Sequence, residues 1–215
     1  MYQAVIFDLD GTLLNTIDDL ANAGNYALVE LGLPIHKSEK YKKMVGYGKA
    51  KLMESILPDG MSGCISIASQ LFDSYYLRHM LDATVEYSGI SELLASLHDQ
   101  KVKLAVLTNK PHHFAKEMIN HYFPYFFDYV IGTGPDTKTK PDPDSLLGLI
   151  KQFNLNPEEV LYVGDSEVDV MTGQNAHVDT VSVLWGFRDK PELEALKPTY
   201  LVNHAGELAE IVLKR

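Results

Sequence analysis

Ala4-Val5-Ile6-Phe7-Asp8-Leu9-Asp10-Gly11-Thr12 is the stretch that decides how this chain is read. Four apolar residues run without a break into two aspartates, and a glycine follows. A continuous rather than alternating apolar run suits a strand buried on both faces of a parallel sheet. The acids then fall at the carboxyl end of that strand, and Gly11 permits the turn beyond it. Runs of the same kind recur at 102–107 (VKLAVL), 128–131 (DYVI), 160–163 (VLYV) and 180–184 (TVSVL). Segments of helical length lie between them, at 112–122, 144–153 and 167–177. Strand and helix thus alternate from about residue 84 onward, which predicts an α/β fold with a doubly wound, Rossmann-like parallel sheet.

From 15 to 83 the alternation stops and only helical pattern remains. Thr16 reads as an N-cap with Asp18 and Asp19 in the first turn. Leu20, Ala23, Ala27, Leu28 and Leu31 share one face, and Gly32 and Pro34 end the helix. Ser38, the Gly46-Tyr47-Gly48 break, Pro58 and Gly60 divide the rest into three more helices. The simplest organisation is an all-helical domain, 15–83, inserted into an α/β core made of 1–14 and 84–215. No internal repeat or low-complexity tract interrupts this pattern.

Composition narrows the function. Of 215 residues, 19 are Lys or Arg and 29 are Asp or Glu, a net charge of −10, which lacks the basic footprint of a nucleic-acid binder. One cysteine, Cys64, excludes an intramolecular disulfide framework and a cysteine-cluster zinc site. No basic leader precedes the first strand, and no stretch approaches the roughly 18 apolar residues of a membrane span. The expectation is a cytoplasmic protein without a membrane or nucleic-acid partner and of undetermined oligomeric state. Between 37 and 51, Lys37, Lys40, Lys42, Lys43, Lys49 and Lys51 stand with only Glu39. Most read as a solvated face. Lys49, directly after a glycine loop, is the one favoured to meet an anionic ligand.

Three apolar runs end in chemically apt residues: Asp8 and Asp10, Thr108-Asn109, and Asp165. Ligands of open parallel sheets bind outside the carboxyl ends of the strands, so these endings point at one site. Lys140-Pro141 leads into a helix near the same edge. Asp8 could serve as nucleophile or metal ligand, and Asp10 as general acid and base. Asp165, with Asp169 one helical turn on, offers oxygen ligands for a hard cation such as Mg²⁺. Thr108 and the Asn109 backbone N–H could hold phosphate oxygens, and Lys140 could balance their charge. Asp-x-Asp-Gly also opens an EF-hand loop, but Gly11 falls at loop position 4 instead of 6 and follows a buried strand. The chain has no GxxxxGK[ST], GxSxG or HExxH motif, and Gly132-Thr133-Gly134 runs into Pro135. His113 and His121 lie about two turns apart, roughly 12 Å along a helix, too far to share a metal. The pair His112-His113 reads as exposed in a first helical turn, and Trp185 as packing.

Asp8-Leu9-Asp10-Gly11-Thr12, Thr108-Asn109, Lys140-Pro141 and Gly164-Asp165 with Asp169 together resemble the four motifs of the haloacid dehalogenase superfamily. Thr-Asn-Lys-Pro at 108–111, Val-Gly-Asp-Ser at 163–166 and Trp-Gly-Phe-Arg at 185–188 resemble its phosphoglycolate phosphatase branch. His177 departs from the glycine usual there. The resemblance implies a helical cap and assigns roles. Asp8 would attack phosphorus and form an aspartyl-phosphate. Asp10 would protonate the leaving alkoxide and then activate water. Mg²⁺ would sit on the Asp8 and Asp165 carboxylates and the Asp10 carbonyl. Thr108, Asn109 and Lys140 would clamp the phosphoryl group, Asp169 would orient Lys140 or a metal-bound water, and Gly46, Tyr47, Gly48 and Lys49 would read the leaving group.

The expected function is a Mg²⁺-dependent phosphatase for a small anionic phosphomonoester, phosphoglycolate-like. The alternatives are a phosphomutase of the same superfamily and, outside enzymes, a phosphorelay receiver-like regulator. A receiver lacks a helical insertion, and its phosphorylated aspartate ends a later strand, where this chain has Thr108-Asn109.

Overall fold

The computed structural model describes residues 2–135 and 137–214. Its strands are β1 (Ala4–Phe7), β2 (Leu14–Asn15), β3 (Val85–Glu86), β4 (Lys103–Pro111), β5 (Tyr129–Thr133), β6 (Val160–Gly164), β7 (Asp179–Val183) and β8 (Tyr200–Val202). Its α-helices are α1 (Ile17–Glu30), α2 (Ser38–Tyr41), α3 (Lys49–Ile56), α4 (Ile65–His79), α5 (Ile90–Asp99), α6 (His112–Tyr122), α7 (Asp144–Phe153), α8 (Glu167–Asn175), α9 (Lys190–Ala195) and α10 (Ala205–Lys214). Six strands pair in parallel in the order β5-β4-β1-β6-β7-β8. β1 is therefore central, and the chain winds outward from it in both directions, which puts the topological switch point beside its carboxyl end.

The apolar runs are continuous because both sheet faces are covered. Val5 and Phe7 face one layer with Phe114 and Met118 of α6, Leu94 of α5 and Leu208 of α10. Ala4 and Ile6 face the other, with Leu146, Leu149 and Phe153 of α7. Each of the five expected runs contains a strand. β4 extends further than expected, through Thr108, Asn109 and Lys110. Its register with β5 slips between Leu107↔Ile131 and Pro111↔Thr133, so this end bulges. β8 was outside the sequence reading, since three residues carry too little periodicity to register.

Helices α1 to α4 lie between β2 and β3, which pair antiparallel (Leu14↔Glu86, Asn15↔Val85). α1 packs against α2, α3 and α4 around Tyr41, Met53, Ala68, Phe72 and Tyr76, all buried. This is the cap. We propose that 15–83 forms it as one unit on a core of 1–14 and 84–215, with the β2–β3 ribbon as its neck.

The start of α1 differs from expectation. Thr16 occupies the N-cap position but makes no capping bond, and among the described residues its buried hydroxyl has no partner. Asp19 does not serve the helix dipole alone. Its carboxylate accepts from Ala83 N–H (3.0 Å), Thr84 N–H (2.8 Å) and Thr84 Oγ1 (2.8 Å), tying the two ends of the cap together. His177 adopts a left-handed φ of 57° despite its side chain, so the helix end keeps the conformation a glycine would take. Among the described residues no helix is long and apolar enough to cross a membrane.

Candidate active site

The site forms where β1, β4 and β6 end. Asp8 follows β1 directly, and its N–H donates to Val163 O of β6 (2.8 Å), which holds the backbone in the sheet plane. Its Oδ1 lies 2.9 Å from Lys140 Nζ yet has no aligned hydrogen-bond donor. The residue is buried, 6% exposed. Burial pushes its pKa up to about 7 against the pull of Lys140, with Asp169 and Asp10 adding to the rise.

Asp165 follows β6. Its Oδ2 accepts from Phe187 N–H (2.7 Å), and among the described residues its Oδ1 has only the Thr12 hydroxyl, 3.5 Å away. Burial raises its pKa well above the carboxylate range, and Asp169 and Asp8 push the same way. Gly11 explains how the first loop passes so close. It sits at φ +86°, and a Cβ there would lie 2.3 Å from Asp165 Oδ2, so only glycine fits.

Asp169 is committed to the protein. Its Oδ2 accepts from Ser166 N–H (3.1 Å) and Ser166 Oγ (2.6 Å), closing a capping box at the start of α8. Its Oδ1 accepts from Lys140 Nζ (2.6 Å) and lies 3.1 Å from the Tyr162 hydroxyl. Lys140 is thus held between Asp8 and Asp169. Burial opposes its charge, but the two carboxylates outweigh burial and raise its pKa well above the ordinary lysine value.

One carboxylate oxygen from each of Asp8, Asp165 and Asp169 lies within 4.8 Å of the others. The Lys140 ammonium serves Asp8 and Asp169, and among the described residues Asp8 Oδ1 and Asp165 Oδ1 are the oxygens without a good donor. An all-oxygen, net-negative pair of open carboxylates fits a hard divalent cation. Asp169, with both oxygens occupied, supports Lys140.

Thr108 is buried, and its Oγ1 accepts from Lys110 N–H (3.3 Å). The Asn109 side chain is spent on structure: Nδ2 donates to Gly46 O (2.9 Å) and Lys140 O (3.0 Å), and Oδ1 accepts from Lys140 N–H (2.8 Å). It joins the β4 end, the Lys140 loop and the cap loop.

A cavity of about 60 Å³ opens between these strand ends and the cap. Asp8, Asp10, Thr108, Asn109 and Asp165 line its core side, and Gly46, Gly48, Lys49, Phe72 and Tyr76 its cap side. Gly48 has φ +87°, a left-handed conformation that favours glycine, where the cap loop passes beside Asn109 O. Tyr47, expected in the site with its neighbours, is 43% exposed, stands outside the cavity lining and lies beside Glu167. Lys49 lines the cavity and is paired with Asp73 (2.5 Å). His112 and His113 are exposed at the start of α6. Trp185 packs beside Tyr87, with Nε1 donating to Thr12 O (3.0 Å).

Two site cations were not singled out from sequence. Lys110 Nζ lies 2.9 Å from Asp10 Oδ1 and 3.2 Å from Oδ2. Arg188 Nε donates to Glu167 Oε2 (2.7 Å), Nη2 to Val45 O (2.9 Å), and Nη1 to Lys42 O. The signal for both was available: a lysine or arginine inside an apolar or aromatic motif is rarely buried unpaired.

Comparison with known proteins follows the same lines. Residues 5–183 match the family model of haloacid dehalogenase-like hydrolases. A phosphoglycolate phosphatase of Psychrobacter arcticus is 31% identical over 99% of this chain and 96% of its own length. One of Pseudomonas putida is 33% identical over 93% of this chain and 75% of its own. A Streptococcus pneumoniae hydrolase of the haloacid dehalogenase-like family superposes with a TM-score of 0.88 at 25% identity, covering 98% of both chains. A crystal structure from Lactobacillus delbrueckii subsp. bulgaricus reaches a TM-score of 0.91 at 30% identity, over 100% of this chain and 99% of its own. With the motif-bearing strands, the cap and the family model in agreement over most of its length, the chain belongs to the haloacid dehalogenase-like hydrolases.

Proposed function

We propose that the chain is a Mg²⁺-dependent phosphatase acting on a small, phosphoglycolate-like phosphomonoester through an aspartyl-phosphate on Asp8. The observation that carries this reading is the meeting of Asp8, Asp165 and Lys140 in one buried cluster at the floor of a cavity that Asp10 also lines. A carboxylate of Asp8 attacks phosphorus as the bond to the leaving oxygen breaks, and Asp10 gives that oxygen its proton. Water, losing a proton to Asp10, then attacks the phosphoryl group and breaks its bond to Asp8. The Asp8 and Asp165 carboxylates and the Asp10 carbonyl would hold Mg²⁺. When bound, the cation would offset charge on the phosphoryl oxygens. Thr108, the Asn109 N–H and Lys140 would hold those oxygens, and Asp169 would aim Lys140. The small cavity supports a small leaving group, and Gly46, Gly48 and Lys49 stand where that group would lie. The names of the relatives support phosphoglycolate as the first substrate to try.

The test is release of inorganic phosphate from phosphoglycolate and from an aryl phosphate with Mg²⁺, with and without chelator. Asp8→Asn should abolish both activities and leave the fold intact, since an amide is a far weaker nucleophile. Turnover in that variant, or in excess chelator, refutes the mechanism. Transfer of the phosphoryl group to a sugar phosphate in place of water would make the enzyme a mutase.

A further inference from the structure

Lys110 is the most deeply buried charge at the site that the proposed mechanism does not use. Its side chain is 2% exposed against 18% for Asp10. Its ammonium carries three donors, and the structure supplies three acceptors. Asp10 Oδ1 lies at 2.9 Å, Asp10 Oδ2 at 3.2 Å and the Tyr76 hydroxyl at 2.7 Å. The same ammonium lies 4.7 Å from the Tyr76 ring centroid. Tyr76 itself is clamped. It stacks on Phe72 at 5.3 Å and meets Phe114 of α6 edge-on at 5.1 Å, and its hydroxyl points at Met118 Sδ, 3.9 Å away.

Asp10 needs such help. It stands in the loop beyond β1, with an isolated bridge to Leu14 of β2, and among the described residues no other hydrogen bond to its carboxylate accompanies the two from Lys110. Lys110, by contrast, grows from the bulged end of β4, and Tyr76 belongs to the cap helix α4. One core strand and one cap helix therefore converge on the side chain that must reach the leaving oxygen.

We propose that Lys110 is the positioning residue for Asp10, and that Tyr76 makes this positioning depend on the cap: the carboxylate is aimed only while α4 holds the ammonium. The inference rests on the acid–base assignment of Asp10 given above. Lys110 need not touch the substrate. Its effect should appear in proportion to how much the reaction needs a well-placed proton donor, because a displacement of about 1 Å at such a group can cost on the order of 10²-fold in rate.

The experiment compares wild type, Asp10→Asn, Lys110→Met, Lys110→Arg and Tyr76→Phe on an alkyl phosphate and on p-nitrophenyl phosphate, with kcat and KM separated. Thermal unfolding of each variant checks that it folds. Lys110→Met removes the charge and keeps the length. It should lower kcat on the alkyl phosphate by about 10²-fold and on the nitrophenyl ester by about tenfold or less, since that leaving group needs little protonation. KM should hold for both. Tyr76→Phe should show the same leaving-group bias, weaker, and Lys110→Arg should recover part of the loss. Equal losses on both esters, or a rise in KM with kcat intact, would make Lys110 a substrate contact or a packing residue and overturn the proposal. If Lys110→Met fails to fold, the Tyr76→Phe bias decides alone. Should Asp10→Asn itself show no leaving-group bias, the acid–base assignment fails; a bias in Asp10→Asn without one in Lys110→Met sinks only the positioning inference.

Discussion

Without a divalent cation, the buried Asp8 should write a pH signature into stability. Its carboxyl titrates near 7 in the folded chain, against an ordinary value of 3.8. A group whose folded pKa is raised holds its proton more tightly when folded. Its stabilising contribution is therefore full below the unfolded value and is lost as pH rises toward the folded one. From about pH 5 to about pH 8 the loss from Asp8 is about 3 kcal/mol. For a chain of 215 residues that corresponds to roughly 6–12 °C in Tm. Asp165, also raised by burial, pushes in the same direction. Lys140 does not compensate in this window, because a lysine raised above its ordinary value stays charged throughout it. The assay is thermal unfolding in chelator at the two pH values, for wild type and for Asp8→Asn, whose amide cannot titrate. Wild type should lose about 3 kcal/mol relative to the variant as pH rises. Mg²⁺ at the higher pH should then stabilise wild type more than the variant. A difference between the two proteins that is flat with pH, or that favours wild type at high pH in chelator, would refute the reasoning.

Other substitutions test separate parts of the site. Gly11→Ala puts a methyl group 2.3 Å from Asp165 Oδ2 at a left-handed backbone position, so Asp165 must move; a Mg²⁺ titration of activity should shift to higher concentration, and an unchanged titration would show that the loop yields instead. Arg188→Lys keeps the charge but cannot reach Glu167 and the carbonyls of Lys42 and Val45 together. Loosening the cap loop in this way should raise KM about tenfold, the equivalent of roughly 1.5 kcal/mol, with kcat changing less. Lys49→Ala should raise KM for phosphoglycolate far more than for an aryl phosphate whose leaving group carries no charge; equal effects would mean that Lys49 serves only Asp73.

The order of legibility follows the range of the interactions. Asp8, Asp165 and Thr108 were readable because each ends a continuous apolar run, and a strand end is a local fact. Asp10 was readable from the turn at Gly11. Asp169 was readable as one helical turn beyond Asp165, while its capping box with Ser166 came only with the structure. Lys110 stood in plain view within Thr-Asn-Lys-Pro, yet its partner Asp10 is a hundred residues away in sequence, and nothing local announces such a pair. Where the Tyr47 ring goes was not legible: Gly46 and Gly48 line the cavity, while Tyr47 lies beside Glu167, 120 residues away in sequence.

By itself, the amino-acid sequence determined the α/β alternation, the helical insertion and the acids at the strand ends, because burial on both sheet faces and helix periodicity are written over four to fifteen neighbouring residues. Tertiary structure alone decided the β2–β3 ribbon, the short edge strand β8, the use of Asp19 to tie the ends of the cap, and the reach of Arg188 and Lys110 across to Val45, Asp10 and Tyr76. Each of these depends on two distant segments arriving together, and hydrogen bonds and ion pairs act only over a few ångströms, so they exist only once the chain has folded.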